Sequence, residues 1–108
     1  MERTRNEKMA IANEIIRQLG GHKFVVMTGA KDILALDSGL RLRLPGGGGH
    51  AKNGINYIII ELAANDTYDM QFFKANKKGN NKISGFSCVY DDQLQSIFTA
   101  ETGLETHL

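Results

Sequence analysis

Successive apolar runs in the middle of this chain are joined by connections too short to hold a crossover. Residues 33–36 and 40–44 are separated by Asp37-Ser38-Gly39, residues 55–62 and 67–76 by 63–66, and residues 67–76 and 82–89 by Lys77-Lys78-Gly79-Asn80-Asn81. Parallel neighbours need a dozen or more linking residues, usually a helix, whereas antiparallel neighbours need only a hairpin. The middle of the chain therefore predicts a mostly antiparallel sheet. Residues 23–28 (Lys-Phe-Val-Val-Met-Thr), rich in β-branched and aromatic side chains, read as a further strand, giving five or six in all.

Within that sheet the runs differ in character. Leu40, Leu42 and Leu44 alternate with Arg41 and Arg43, the pattern of a strand with one buried face. Residues 55–62 are the most hydrophobic and are expected in the centre, covered on both faces. In 67–76, Tyr68, Met70 and Phe72 fall on one face and Asp69, Gln71 and Phe73 on the other. In 82–89, Phe86, Cys88 and Tyr90 share a parity, so Cys88 reads as a small core residue. Asp66 is expected to hold its turn through its side chain, and Gly39 offers its turn a positive φ.

An amphipathic helix is expected at each end. Residues 4–19 carry Met9, Ala12, Ile16 and Leu19 at helical spacing, widened by Ile11 and Ile15, and Gly20-Gly21 can close the last turn. The last helix starts near Asp91-Asp92, either of which can cap its free N–H groups. It presents Leu94, Ile97, Phe98 and Glu101 on one face and stops at Gly103, with Leu104 folding back and Leu108 available to pack. An antiparallel sheet needs its apolar face covered, and these helices are the available cover. The fold class is α+β: a single domain spanning residues 1–108, consistent with its 108 residues.

One cysteine excludes an internal disulfide. The charged start, Met1-Glu2-Arg3-Thr4-Arg5, is not followed by an apolar leader, and the longest apolar run, Ile58-Ile59-Ile60, is far too short for a membrane span. A cytoplasmic protein without membrane association is the expectation. All 13 Lys and Arg lie within residues 1–82, while residues 83–108 hold Asp91, Asp92, Glu101 and Glu105 and no base. Such asymmetry is compatible either with a basic and an acidic surface or with mutual cancellation in the fold.

Arg41, Arg43, Lys52, Lys74, Lys77, Lys78 and Lys82 cluster around two predicted hairpins. Side by side, these would form a basic ridge suited to phosphate backbones or an acidic protein surface. No interleaved aromatic platform is evident along it, which argues against stacking of single strands, and lysine at hairpin edges also serves to discourage aggregation. Gly46-Gly47-Gly48-Gly49-His50, with Lys52, could wrap an anion with backbone N–H groups. It lacks the Gly-Lys-Ser/Thr ending of a phosphate loop and leads into a strand, so a plain hairpin loop is the simpler reading. The carboxylates around 65–69 lack the calcium-loop pattern. His22, His50 and His107 lack zinc-ligand spacing, and no Ser or Cys sits in a nucleophile elbow. No catalytic residue, metal or cofactor is expected.

The most distinctive text is Leu19-Gly20-Gly21-His22-Lys23-Phe24, Met27-Thr28-Gly29-Ala30-Lys31, Asp66-Thr67-Tyr68-Asp69-Met70, Val89-Tyr90-Asp91-Asp92-Gln93-Leu94 and Phe98-Thr99-Ala100-Glu101-Thr102-Gly103-Leu104. It resembles a family of small proteins of phages and mobile elements from gut bacteria, over nearly the whole chain. The resemblance implies a bacterial host cell as setting and supplies no catalytic residues. The expected function is non-enzymatic binding of phage or mobile-element type, including inhibition of a host nucleic-acid-handling or defence complex in the manner of anti-CRISPR proteins. Direct nucleic-acid binding through the basic hairpins, and nucleotide or phosphate binding at the glycine loop, are the alternatives.

Overall fold

The computed structural model describes residues 4–44, 52–104 and 106, with the side chain of Asn53 outside the description. Helix α1 (Arg5–Leu19) opens with a reciprocal cap: the Glu7 N–H donates to Thr4 Oγ1 and the Thr4 N–H to Glu7 Oε1, both at 3.2 Å. Its buried stripe is Ala12, Ile15 and Leu19. Ile11 and Ile16 flank the core, while Met9 is 47% exposed, one turn too early to reach it. The Gly21 N–H closes the helix on the Ile16 carbonyl at 2.8 Å.

The expected strand at 23–28 is instead a second helix, α2 (His22–Thr28). The side chains it must bury are Phe24 and Thr28, four residues apart, and Val26, which a strand would place beside them, is 64% exposed. Phe24 packs edge-to-face on Phe98 with centroids 5.1 Å apart. The Thr28 hydroxyl donates to the Phe24 carbonyl at 2.7 Å and accepts from the Ala30 N–H at 3.2 Å. Tertiary packing of one large aromatic ring thus overrides the β propensity of the two valines.

Five strands follow: β1 (Lys31–Ala35), β2 (Gly39–Arg43), β3 (Tyr57–Leu62), β4 (Tyr68–Asn76) and β5 (Gly79–Val89), in one antiparallel sheet of spatial order β1-β2-β3-β4-β5. Each strand thus lies beside its sequence neighbours, as short connections require. A 3-10 turn at Lys52–Gly54 leads into β3. Another, at Asp91–Gln93, leads into the last helix, α3 (Leu94–Thr102).

The strand faces are unequal. Leu40, Leu42, Ile58, Ile60, Tyr68, Met70, Phe72 and Val89 are buried against α1, Phe24 of α2, and Leu94 and Phe98 of α3. On β3 only Ile58 and Ile60 are fully buried, so this strand is central but covered on one face, not two. The opposite face carries Arg41, Arg43, Tyr57, Ile59, Glu61, Asp69, Gln71 and Phe73, none of them buried.

Three further expectations are corrected. Cys88 is exposed, with φ 55°. Met70 pairs with Phe86 but Tyr68 with Val89, and this one-residue bulge turns Val89 inward in its place. The β3–β4 turn uses Asp66 through its φ of 63°, whereas the side chain that bonds is Asn65, whose Oδ1 accepts from the Thr67 hydroxyl at 2.6 Å. Neither aspartate caps α3, whose N-cap residue Gln93 makes no side-chain cap bond; in the 3-10 turn before it, Gln93 Oε1 accepts from the Tyr90 N–H at 2.9 Å, while Asp91 Oδ1 accepts from the Asp92 N–H. Gly103 closes α3 with φ 75°, and Leu104 packs on the core, as expected. No helix among the described residues is long and apolar enough to cross a membrane.

Candidate functional site

The uncovered face of the sheet gathers side chains that lie far apart in the sequence. Register pairs Lys31 with Arg43, Arg43 with Tyr57, Tyr57 with Phe73 and Phe73 with Lys82. Directly paired residues share a face, so the five make one row across all five strands. The row spans about 19 Å at the usual interstrand spacing.

Its centre is aromatic. Tyr57 and Phe73 meet edge-to-face, with centroids 5.8 Å apart and planes at 78°. The guanidinium carbons of Arg43 and Arg41 lie 5.7 and 5.8 Å from the Tyr57 centroid. That is near the outer limit of a cation–π contact, a weak hold on an exposed side chain. Neither arginine has a carboxylate within ion-pair distance among the described residues. Lys82 lies along Gly85 on the same face: a Cβ at Gly85 would come within 2.9 Å of Lys82 Cε. Glycine there leaves the lysine stem room to lie flat beside Gln71, the cross-strand partner of Gly85.

This arrangement corrects the expectation that no aromatic platform accompanies the basic hairpins. Tyr57 lies in a strand whose prominent feature is its isoleucines, and Phe73 reads as one member of an alternating run. Their adjacency depends on the β3–β4 register, and their link to the arginines on the β2–β3 register. Lys31, from a segment read as a turn, joins the row in the same way.

The seven basic residues singled out from the sequence do not form one ridge. Arg41, Arg43 and Lys82 share the open face. Lys77 and Lys78 form the exposed two-residue tip between β4 and β5, where the Lys78 N–H donates to Asn76 Oδ1 at 2.8 Å. Lys74 has the parity of the buried residues, and its stem lies over Gly54, whose Cβ would meet Lys74 Cδ at 3.2 Å. Lys52 sits by the end of α3, where Nζ donates to the Ala100 carbonyl at 3.4 Å, a favourable place for a cation at a helix C-terminus. Gly46, Gly47, Gly48, Gly49 and His50, like His107, lie outside the described residues.

The face is electrically divided. Glu61 pairs with Asp69 across β3 and β4, two like charges side by side four residues along β3 from Tyr57. At the usual rise per residue this places them about 13 Å from the aromatic centre. Among the described residues no group of three His, Cys, Asp or Glu side chains could hold a metal. The open face offers π-faces at Tyr57 and Phe73, cations at Arg41, Arg43 and Lys82, and an amide at Gln71. Comparison of the chain with protein-family models, with curated proteins and with solved structures finds no match.

Proposed function

We propose that this chain is a non-enzymatic binding protein whose ligand is single-stranded nucleic acid, held on the open face of its sheet. One observation carries the reading: Tyr57 and Phe73 stand between Arg43 and Lys82 in a single cross-sheet row. Bases offer π-faces to aromatic side chains while phosphates take cations. A row about 19 Å long suits two or three bases, the number that sheet-face RNA readers stack. The loosely held guanidiniums of Arg41 and Arg43 are free to turn from the Tyr57 ring to a phosphate.

Fluorescence anisotropy with a labelled 12-nucleotide single strand tests this. Each stacked base contributes about 1–3 kcal/mol, so Tyr57→Ala and Phe73→Ala should each weaken binding about tenfold. Duplex of the same sequence should bind more weakly. Wild-type affinity too weak to detect at low salt, or affinity indifferent to both substitutions, would rule the reading out.

The mobile-element resemblance supports a second reading, a protein that occupies a host nucleic-acid-handling or defence complex. The observation that favours it is a groove of about 440 Å³ between α1 and β1, apolar along Met9, Ile33 and Leu34. Capture of such a complex by the wild type, lost in Leu34→Lys, is the expected outcome.

A further inference from the structure

One corner of the open face is a pocket rather than a flat platform. It encloses about 310 Å³ where β1, β2 and the starts of β3 and β5 meet the end of β4. Tyr57 forms one wall, Lys31 and Arg43 contribute cations, Asp32 a carboxylate and Asn80 an exposed amide. The back wall is held by Asn56, whose Oδ1 accepts from the Ala75 N–H at 2.7 Å and whose Nδ2 donates to the Ala75 carbonyl at 3.0 Å. That two-bond clamp joins the approach to β3 to the far end of β4, so the pocket does not depend on side-chain packing alone to keep its shape.

The composition of the lining discriminates among ligands. A free phosphate would use Lys31 and Arg43 but would be repelled by Asp32 and gain nothing from the ring. An uncharged base would leave both cations unpaired. A nucleotide uses every group: base against Tyr57, phosphate between Lys31 and Arg43, and a sugar hydroxyl or exocyclic amine donating to Asp32. The volume lies at the lower end of small-ligand pockets, which suits one such unit. Asp32 reaches this place because β1 bulges between Lys31 and Leu34 and the residue takes φ 52°, a conformation uncommon outside glycine that aspartate tolerates.

Resting on the strand-binding reading above, we infer that this pocket is the subsite for one nucleotide of the bound strand and by itself binds a free nucleoside monophosphate. Titration of the labelled full chain with uridine 5′-monophosphate, uridine and inorganic phosphate, followed by amide NMR, provides the test. The monophosphate should shift the amides of Lys31, Arg43, Tyr57 and Asn80 saturably, and uridine and phosphate should each bind at least tenfold more weakly. Lys31→Gln and Asn80→Ala, both at exposed positions, should each weaken monophosphate binding about fivefold. Phosphate binding as tightly as the nucleotide would overturn the inference in favour of a plain anion site. A 12-nucleotide strand that binds the wild type and both pocket variants alike, with no monophosphate shifts, would overturn the subsite while leaving strand binding intact. Failure of the strand itself to bind would overturn both.

Discussion

Gly39 is held to glycine by the strand beside it, not by the turn it ends. It does not use a positive φ; instead, an added Cβ would lie 2.1 Å from the Ile60 carbonyl oxygen and 2.7 Å from Glu61 Cα. Both obstacles are backbone of the central strand, so neither can swing aside. Gly39→Ala should therefore cost about 3 kcal/mol, lowering the melting temperature by roughly 10–20 °C. Gly21 has the reverse problem, open space around it but φ 64° and ψ −135°, a conformation that favours glycine, so Gly21→Ala should cost about 2 kcal/mol through backbone strain alone. A Gly39→Ala variant that melts like the wild type would contradict the assignment. Glu14 shows a residue-scale effect of charge. Arg17 Nε donates to its Oε2 at 2.9 Å and Gln18 Nε2 to its Oε1 at 3.0 Å, and the Arg17 bond is the main reason its pKa falls to about 2. A depressed carboxylate stabilises the fold when ionised. Its contribution is present above the ordinary value of 4.5 and fades as pH falls towards about 2. The group is solvent-exposed, so the effect is small. The melting difference between wild type and Glu14→Gln should be seen at pH 7 and vanish near pH 2; a difference constant with pH would refute it.

At the scale of elements, the contrast between β2 and α2 explains what could be read from the chain. In β2 local pattern and tertiary demand agree: Leu40, Leu42 and Leu44 alternate and all are buried. In α2 they disagree. Two valines and a phenylalanine favour a strand, but seven residues between Gly21 and Gly29 are closed at both ends by glycine, and only Phe24 and Thr28 find the core. No feature within the segment announces that Phe98, 74 positions away, will be its packing partner. The open face follows the same logic. Parity told which residues share a side of each strand, but Arg43, Tyr57, Phe73 and Lys82 become one site only through the register of three strand pairs. The helical state of α2 has a direct test. Val26→Ala should be neutral or stabilising by about 0.5 kcal/mol, because alanine is the better helix former and little burial is lost. Phe24→Ala should cost about 3–5 kcal/mol by emptying the core. A clear loss from Val26→Ala, with extended-type Cα shifts at 23–27, would restore the strand.

For the whole molecule, a net charge of +1 conceals a division that sequence order only hinted at. The acidic C-terminal stretch contributes Glu101, which accepts from the Ser84 hydroxyl at 2.6 Å on the helix-covered side. The open face is left with its own opposition, Arg43 and Lys82 at one end, Glu61 and Asp69 at the other, and Arg41 between them opposite Ile59. A polyanion approaching this face meets attraction and repulsion about 13 Å apart along β3, comparable to the screening length of about 10 Å at 0.1 M salt. Two consequences differ in kind. Removing a cation that touches phosphate lowers the number of counterions displaced, so Arg41→Gln with Arg43→Gln should reduce the slope of log K against log salt by about 1.4, at roughly 0.7 per contact on a single strand. Removing the distant acids changes the field but no contact. Glu61→Gln with Asp69→Asn should therefore raise affinity at low salt, chiefly through the association rate, and the gain should disappear above about 0.3 M as screening shortens. Stopped-flow association measured over a salt series separates the two. If both double variants altered the slope alike, or the acid variant lowered the affinity, the strand would lie across the whole face and not on its basic half.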